Sequence, residues 1–128
     1  MHKIVFTERA PRPVGPYSQA VVMGDVLFCS GQIGLDPATG KLAPGNVAEE
    51  TGQCLRNLSE VLEAGGSALS KVIKTTVFVT DLAHFKEVYE AYASFFPESP
   101  PARSVVQVSA LPLSARVEIE AIAFLGGD

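Results

Sequence analysis

Two stretches limit what this chain can fold into. "VIKTTVFV" at 72–79 and "VEIEAIAFL" at 117–125 read as strands that are apolar or β-branched at nearly every position. A strand with one wet face alternates apolar and polar residues. A near-continuous apolar run must be covered on both sides. The remaining elements supply too little cover. "KIVF" (3–6) is a short strand candidate, and the apolar runs 20–23 and 26–29 flank Gly24-Asp25, a two-residue hairpin signal. "LDPATGKLAPGN" reads as a loop with two turn dipeptides.

Val47, Thr51, Cys54, Leu55, Leu58, Val61 and Leu62 recur at helical spacing and predict a helix over 47–64. Asn46 is positioned to cap it, with Glu49 three residues on, and Gly65-Gly66 ends it. Asp81 can cap a second helix whose stripe is Leu82, Phe85, Val88, Tyr89, Tyr92, Phe95 and Phe96, stopped by Pro97. Two closing strands follow, at 102–109 and 116–125, read as a hairpin around Leu111–Ala115. The order β-β-β-α-β-α-β-β predicts an α+β fold, one domain over 1–128, with both helices on one face of a mixed sheet. Two helices cannot cover the other face, so a partner subunit is the expected cover. The apolar content of 47% in 128 residues points the same way.

The formal net charge is −4 and no Lys/Arg run is present, which weighs against nucleic-acid binding. No apolar run reaches the roughly 20 residues needed to span a bilayer. "MHKIVFTERAPRP" lacks the apolar core of a signal peptide, so the expected location is cytoplasmic. Cys29 and Cys54 are expected as buried thiols. His2 and His84 lie at no metal-ligand spacing, so no metal site is expected. Phosphate-loop, dinucleotide and nucleophile-elbow motifs are missing, and no histidine partners Ser30.

The chemistry is therefore sought in a few charges and loop residues. Arg103 opens a strand directly after Pro100, Pro101 and Ala102. Its planar fork suits a carboxylate, which leaves two readings: an ion pair to Glu118 or Glu120, or an anion site. In the expected hairpin Arg103 lies opposite residue 122 or 123, and Glu118 is roughly 13 Å further along. A direct pair within one chain would be strained. The two could meet across a subunit boundary or through a ligand. Glu118 and Glu120 share one strand face, Val117, Ile119 and Ala121 the other. The two carboxylates suit either acid/base work or a solvated edge, and Glu120 fits the edge better. Tyr17 follows Gly15-Pro16 in a stiff loop and reads as a packing aromatic or a site residue. Gly31 after Ser30 leaves backbone N–H groups accessible to an anion.

Four stretches together resemble one family. "GPYSQA" (15–20), "FCSGQIGLDPATG" (28–40), "KTTVFVTDL" (74–82) and "PPARSVVQVSALPLSARVEIEAIA" (100–123) are similar to the Rid (YjgF) proteins, specifically the RidA-type enamine/imine deaminases. The resemblance implies a chorismate-mutase-like fold and a homotrimer with sites between subunits. It also implies hydrolysis of 2-enamino and 2-imino acids, such as 2-aminoacrylate and 2-iminobutanoate, to 2-oxo acids and ammonia, with no metal or organic cofactor. Residue by residue, it implies that Arg103 binds the carboxylate, that Tyr17, Ser30 and Gly31 line the site, and that Glu118 is the strand glutamate. Val105 stands where relatives often have cysteine and would act through its backbone carbonyl. The loop "PESPPA" is shorter than in some relatives, and Tyr89 stands where some have a polar residue. Both bear on pocket size. Rival readings are an endoribonuclease or translation inhibitor, and a non-catalytic ligand-binding or chaperone-like trimer.

Overall fold

The computed structural model describes residues 1–126. Gly127 and Asp128, the end of the expected 1–128 domain, lie outside the described residues. A six-stranded mixed sheet is built from β1 (Lys3–Val5), β2 (Ala20–Met23), β3 (Val26–Ile33), β6 (Val72–Val79), β7 (Ala102–Gln107) and β8 (Val117–Phe124), in the order β1-β2-β3-β8-β6-β7. Both helices, α1 (Val47–Ala64) and α2 (Phe85–Ala93), pack on one face of it, as the element order predicts. None of the described helices is long and apolar enough to cross a membrane.

Helix α1 follows the sequence closely. The Asn46 Oδ1 accepts the Glu49 N–H at 3.0 Å. The expected stripe is buried, and Gly66, at φ +89°, adopts the left-handed conformation that lets the chain turn out of the helix. Its apolar face lies on Leu27, Cys29, Val117, Ile119, Ala121 and Ala123 of the sheet. Two details differ. Asp81 caps a 3-10 turn at Leu82–His84 rather than the α-helix, accepting the Ala83 N–H at 2.9 Å. In the helix stripe, Val88, Tyr92 and Phe96 are buried, whereas Leu82 and Tyr89 are half exposed. The loop after β3 also contains a short ribbon, β4 (Leu35–Asp36) with β5 (Lys41–Leu42).

The closing hairpin is not formed. Strand β7 pairs with β6 in parallel, Thr75 opposite Arg103 and Val77 opposite Val105. Strand β8 sits between β3 and β6, antiparallel to both. The physical reason is the crossover through α2. A strand that returns after a helix on one face of the sheet lies parallel to the strand it left. That fills the outer side of β6, so the chain reverses past the end of β6 before β8 begins. The reversal is tight: Leu113 (φ 57°) and Ser114 (φ 59°) both sit in the left-handed region within the turn Pro112–Ser114. The central position of β8 accounts for its apolar character.

On the sheet face away from the helices, Phe28 is 43% exposed and Ile4 63%. This is the uncovered face expected from the continuous apolar strands.

One buried charge holds the layers in place. Glu50, on the inner face of α1, is 2% exposed. Its carboxylate accepts the Arg116 backbone N–H at 2.6 Å and the Arg116 Nε–H at 2.8 Å. The Arg116 Nη2 also donates to the Gly45 carbonyl at 3.0 Å. Glu50→Ala strips a buried N–H and a guanidinium of their acceptor. It is expected to lower unfolding free energy by about 2 kcal/mol, measured by urea denaturation at one protein concentration. A change under about 0.5 kcal/mol would contradict this role.

Candidate active site

A cavity of about 630 Å³ on the face away from the helices is lined by Tyr17, Ser30, Gly31, Gln32, Glu118 and Glu120, with Leu113 at its rim. The register of β3 against β8 explains the gathering. Cys29 pairs with Ala121 and Gln32 with Ile119, so Ser30 and Gly31 together face the single residue Glu120. This is a β-bulge, a device that bends a strand and re-aims its side chains. A Cβ at Gly31 would lie 2.8 Å from the Glu118 Cδ, so any larger residue there would displace the Glu118 carboxyl.

The loop carrying Tyr17 is strapped to the bulge. The Ser30 hydroxyl donates to the Ser18 carbonyl at 2.7 Å, and the Ser30 N–H donates to the Gln19 carbonyl at 2.9 Å. The Ser30 N–H is thus occupied and is not among the backbone groups open to an anion. Gln19 is buried. Its Oε1 accepts the Thr7 N–H at 2.7 Å, and its Nε2 donates to the Thr7 carbonyl at 3.0 Å and the Pro11 carbonyl at 2.9 Å. Gly15 (φ 121°) closes a tight turn in which the Tyr17 N–H donates to the Gly15 carbonyl at 3.0 Å. Tyr17 itself remains 52% exposed at the cavity mouth.

Glu118 is half-buried. Desolvation pushes its carboxyl above the ordinary value, and the nearby Glu120 carboxylate adds to the shift. Both thiols are free and buried. Burial pushes Cys29 up to about 12 and Cys54 well above its ordinary value. No group of three or more His, Cys, Asp or Glu able to hold a metal occurs among the described residues.

Arg103 is elsewhere. It shares the helix-facing side of the sheet with Thr75, its register partner on β6, and lines a separate cavity of about 390 Å³ with Tyr89, Tyr92, Phe96, Pro100 and Pro101. Its Cζ lies 5.5 Å from the Phe85 ring centroid, 5.5 Å from Tyr89 and 5.3 Å from Tyr92. The ion pairs among the described residues are Arg9–Glu60, Arg12–Glu8 and Arg116–Glu50. The ion-pair reading of Arg103 is therefore wrong within one chain. Its position in the sequence gave no sign of the helix that would pack on it. Val105 follows two residues on, in an edge strand with only β6 as neighbour.

Tyr17, Ser30, Gly31 and Glu118 are thus brought together, and Arg103 and Val105 are not. Sequence reasoning missed Gln19, the bulge and the aromatic surroundings of Arg103. The stripe of aromatics on α2 was visible, but nothing in the sequence placed it against Arg103.

The raised carboxyl of Glu118 has a definite sign. The folded state holds this proton more tightly than the unfolded chain. The stability it contributes is full below the ordinary Glu value of 4.5 and is lost as pH rises through the raised value. Glu118→Gln removes that loss. The variant is expected to have a higher urea midpoint than wild type at neutral pH, with the two converging below pH 4.5. A lower midpoint at neutral pH would contradict the assignment.

Comparison with known proteins adds a family. Residues 7–125 match the family model described as endoribonuclease L-PSP. A Mus musculus protein named 2-iminobutanoate/2-iminopropanoate deaminase is 49% identical over 98% of this chain and 93% of its own length. The Arabidopsis thaliana chloroplastic Reactive Intermediate Deaminase A is 50% identical over 96% of this chain and 66% of its own. Among solved structures, E. coli TdcF with bound serine superposes with a TM-score of 0.91 at 42% identity, covering 95% of this chain and 98% of that one. RidA from an Antarctic Psychrobacter does so with a TM-score of 0.91 at 40% identity, again over 95% and 98%. With the family model matching residues 7–125 and relatives near 49% identical over nearly the whole chain, the chain belongs to the Rid (YjgF/RidA) family.

Proposed function

We propose that this chain is a hydrolytic deaminase of 2-enamino and 2-imino acids, converting 2-aminoacrylate and 2-iminobutanoate to 2-oxo acids and ammonia. It acts as a cytoplasmic homotrimer whose sites lie between subunits. The observation that carries this reading is the split of the candidate residues. Arg103 is an unpaired cation in one cavity, and Tyr17, Ser30, Gly31 and Glu118 line another on the opposite sheet face. Each is half of a site. The apolar outer face, exposed at Ile4 and Phe28, gives a second copy something to cover.

In this reading Arg103 of one subunit forks onto the substrate carboxylate and fixes C2 of the imine beside Glu118 of the next. Water adds to C2 of the protonated imine while one of its protons passes to the Glu118 carboxylate, giving a neutral carbinolamine. Glu118 returns that proton to nitrogen and then takes up the hydroxyl proton as the C–N bond breaks, so that the C2 carbonyl forms and ammonia leaves with the 2-oxo acid behind. A carboxyl raised by desolvation is the better base for this exchange. Gly31 keeps the carboxyl clear of side chains, and Ser30 holds the loop from which Tyr17 closes over the substrate. The Val105 carbonyl accepts from the substrate nitrogen. Positioning is the protein's main contribution, since an imine is already electrophilic.

The family model's description favours a second reading, an endoribonuclease. One assay separates them. A threonine dehydratase generates 2-iminobutanoate in situ, and semicarbazide traps what is not hydrolysed. Wild type is expected to suppress semicarbazone formation. Arg103→Ala should lose about 100-fold or more of this activity, and Arg103→Lys should recover only part, because the charge remains without the fork. Full activity in Arg103→Ala would overturn the reading. RNA cleavage that depends on Arg103, without imine hydrolysis, would replace it.

A further inference from the structure

Arg103 is held in an unusual way for a cation offered to an anion. The common device for fixing a guanidinium is a carboxylate partner, but that partner occupies the same N–H donors a ligand carboxylate needs and cancels the charge. Here the neighbours are rings. Phe85, Tyr89 and Tyr92 project from one face of α2, and their centroids lie 5.3–5.5 Å from the Arg103 Cζ. All three are inside the roughly 6 Å reach of a cation–π contact.

The rings are themselves fixed. The Tyr92 hydroxyl and the Thr75 hydroxyl share a hydrogen bond of 2.7 Å, and Thr75 is the register partner of Arg103 on the neighbouring strand. Phe96 packs on Tyr92 at 4.8 Å between centroids, and Phe85 packs on Tyr89 at 5.9 Å. Tyr92 is therefore tied to the strand beside the one that carries the arginine. Tyr89, 49% exposed, faces the cavity that Arg103 lines.

We propose that Phe85, Tyr89 and Tyr92 are positioning residues: a cage that orients the Arg103 guanidinium through its π faces and leaves its N–H donors free for a carboxylate. The cage acts on anion affinity rather than on the chemical step. This rests on the assignment of Arg103 as the carboxylate-binding residue in the proposed deaminase.

The test uses the full chain and 2-oxobutanoate as an unreactive carboxylate probe. Its Kd is measured by calorimetry, and kcat and KM come from the semicarbazide assay, for wild type, Arg103→Ala, Tyr89→Leu, Phe85→Leu and Tyr89→Phe. The Leu variants are expected to keep the wild-type circular dichroism and oligomeric state. They should bind the probe about tenfold more weakly, with KM raised similarly and kcat within about twofold of wild type. Tyr89→Phe keeps the ring and should restore both values. Leu variants that bind as wild type does, while Arg103→Ala does not bind, would overturn the cage, as would a wild type that binds no carboxylate. Probe binding that needs both Arg103 and Tyr89, in a protein without imine turnover, keeps the cage and removes the deaminase reading. Turnover that needs Arg103 and ignores Tyr89 and Phe85 does the reverse.

Discussion

The two-residue period of a β-strand decides the geometry of this protein. On β8, Val117, Ile119, Ala121 and Ala123 must meet the helices, so Glu118 and Glu120 must face away. On β7, Arg103 takes the orientation of its parallel partner Thr75, toward the helices. Arg103 is also two strands across from Glu118 and three residues along, which puts their Cα atoms about 14 Å apart. No side-chain rotation brings the guanidinium and the carboxyl together through a packed sheet. Any reaction that uses both needs a second copy of the chain, and the proposed mechanism follows from that.

Polar groups inside the fold keep each half in position. Glu50 holds the entry to β8 through Arg116, two residues before Glu118. Gln19 binds the proline-rich segment to the start of β2, and so fixes the loop that presents Tyr17. Asn57 of α1 donates to the carbonyls of Ile33 at 3.1 Å and Leu35 at 2.8 Å, where the bulged strand ends. All three groups are buried and fully partnered, so removing one leaves its partners unsatisfied. These bonds hold the backbone on either side of Glu118. Arg103 is surrounded by ring faces instead, which in the proposed cage locate a charge without neutralising it.

Local patterns were legible in the sequence and long-range pairing was not. The cap at Asn46, the stripe of α1 and the Gly24-Asp25 turn all depend on neighbours in the chain, and each appears where the residues put it. The alternation of β8 correctly separated Glu118 from Ile119. The hairpin of 102–109 with 116–125 failed because a six-residue connection gives the direction of the next strand but not its place in the sheet. The crossover through α2 had already set β7 beside β6. Glu50 left a trace that went unread, a carboxylate on the apolar face of a helix. The bulge at Ser30-Gly31 left none beyond the glycine, since it exists only in the register of β3 against β8. Tyr17, Ser30, Gly31, Glu118 and Arg103 were singled out from the residues and given roles by family resemblance, and the fold divides them between two cavities.

The central claim is that a working site takes Arg103 from one copy and Glu118 from another. Subunit mixing tests it most directly. Arg103→Ala and Glu118→Gln proteins, each inactive alone, are unfolded together and refolded as a mixture, and imine hydrolysis is measured. Random assembly around a ring gives an intact pair in about a quarter of the clefts, so activity near a quarter of wild type is expected. A mixture as inactive as its two components would show that both residues must come from the same chain, and would contradict the account.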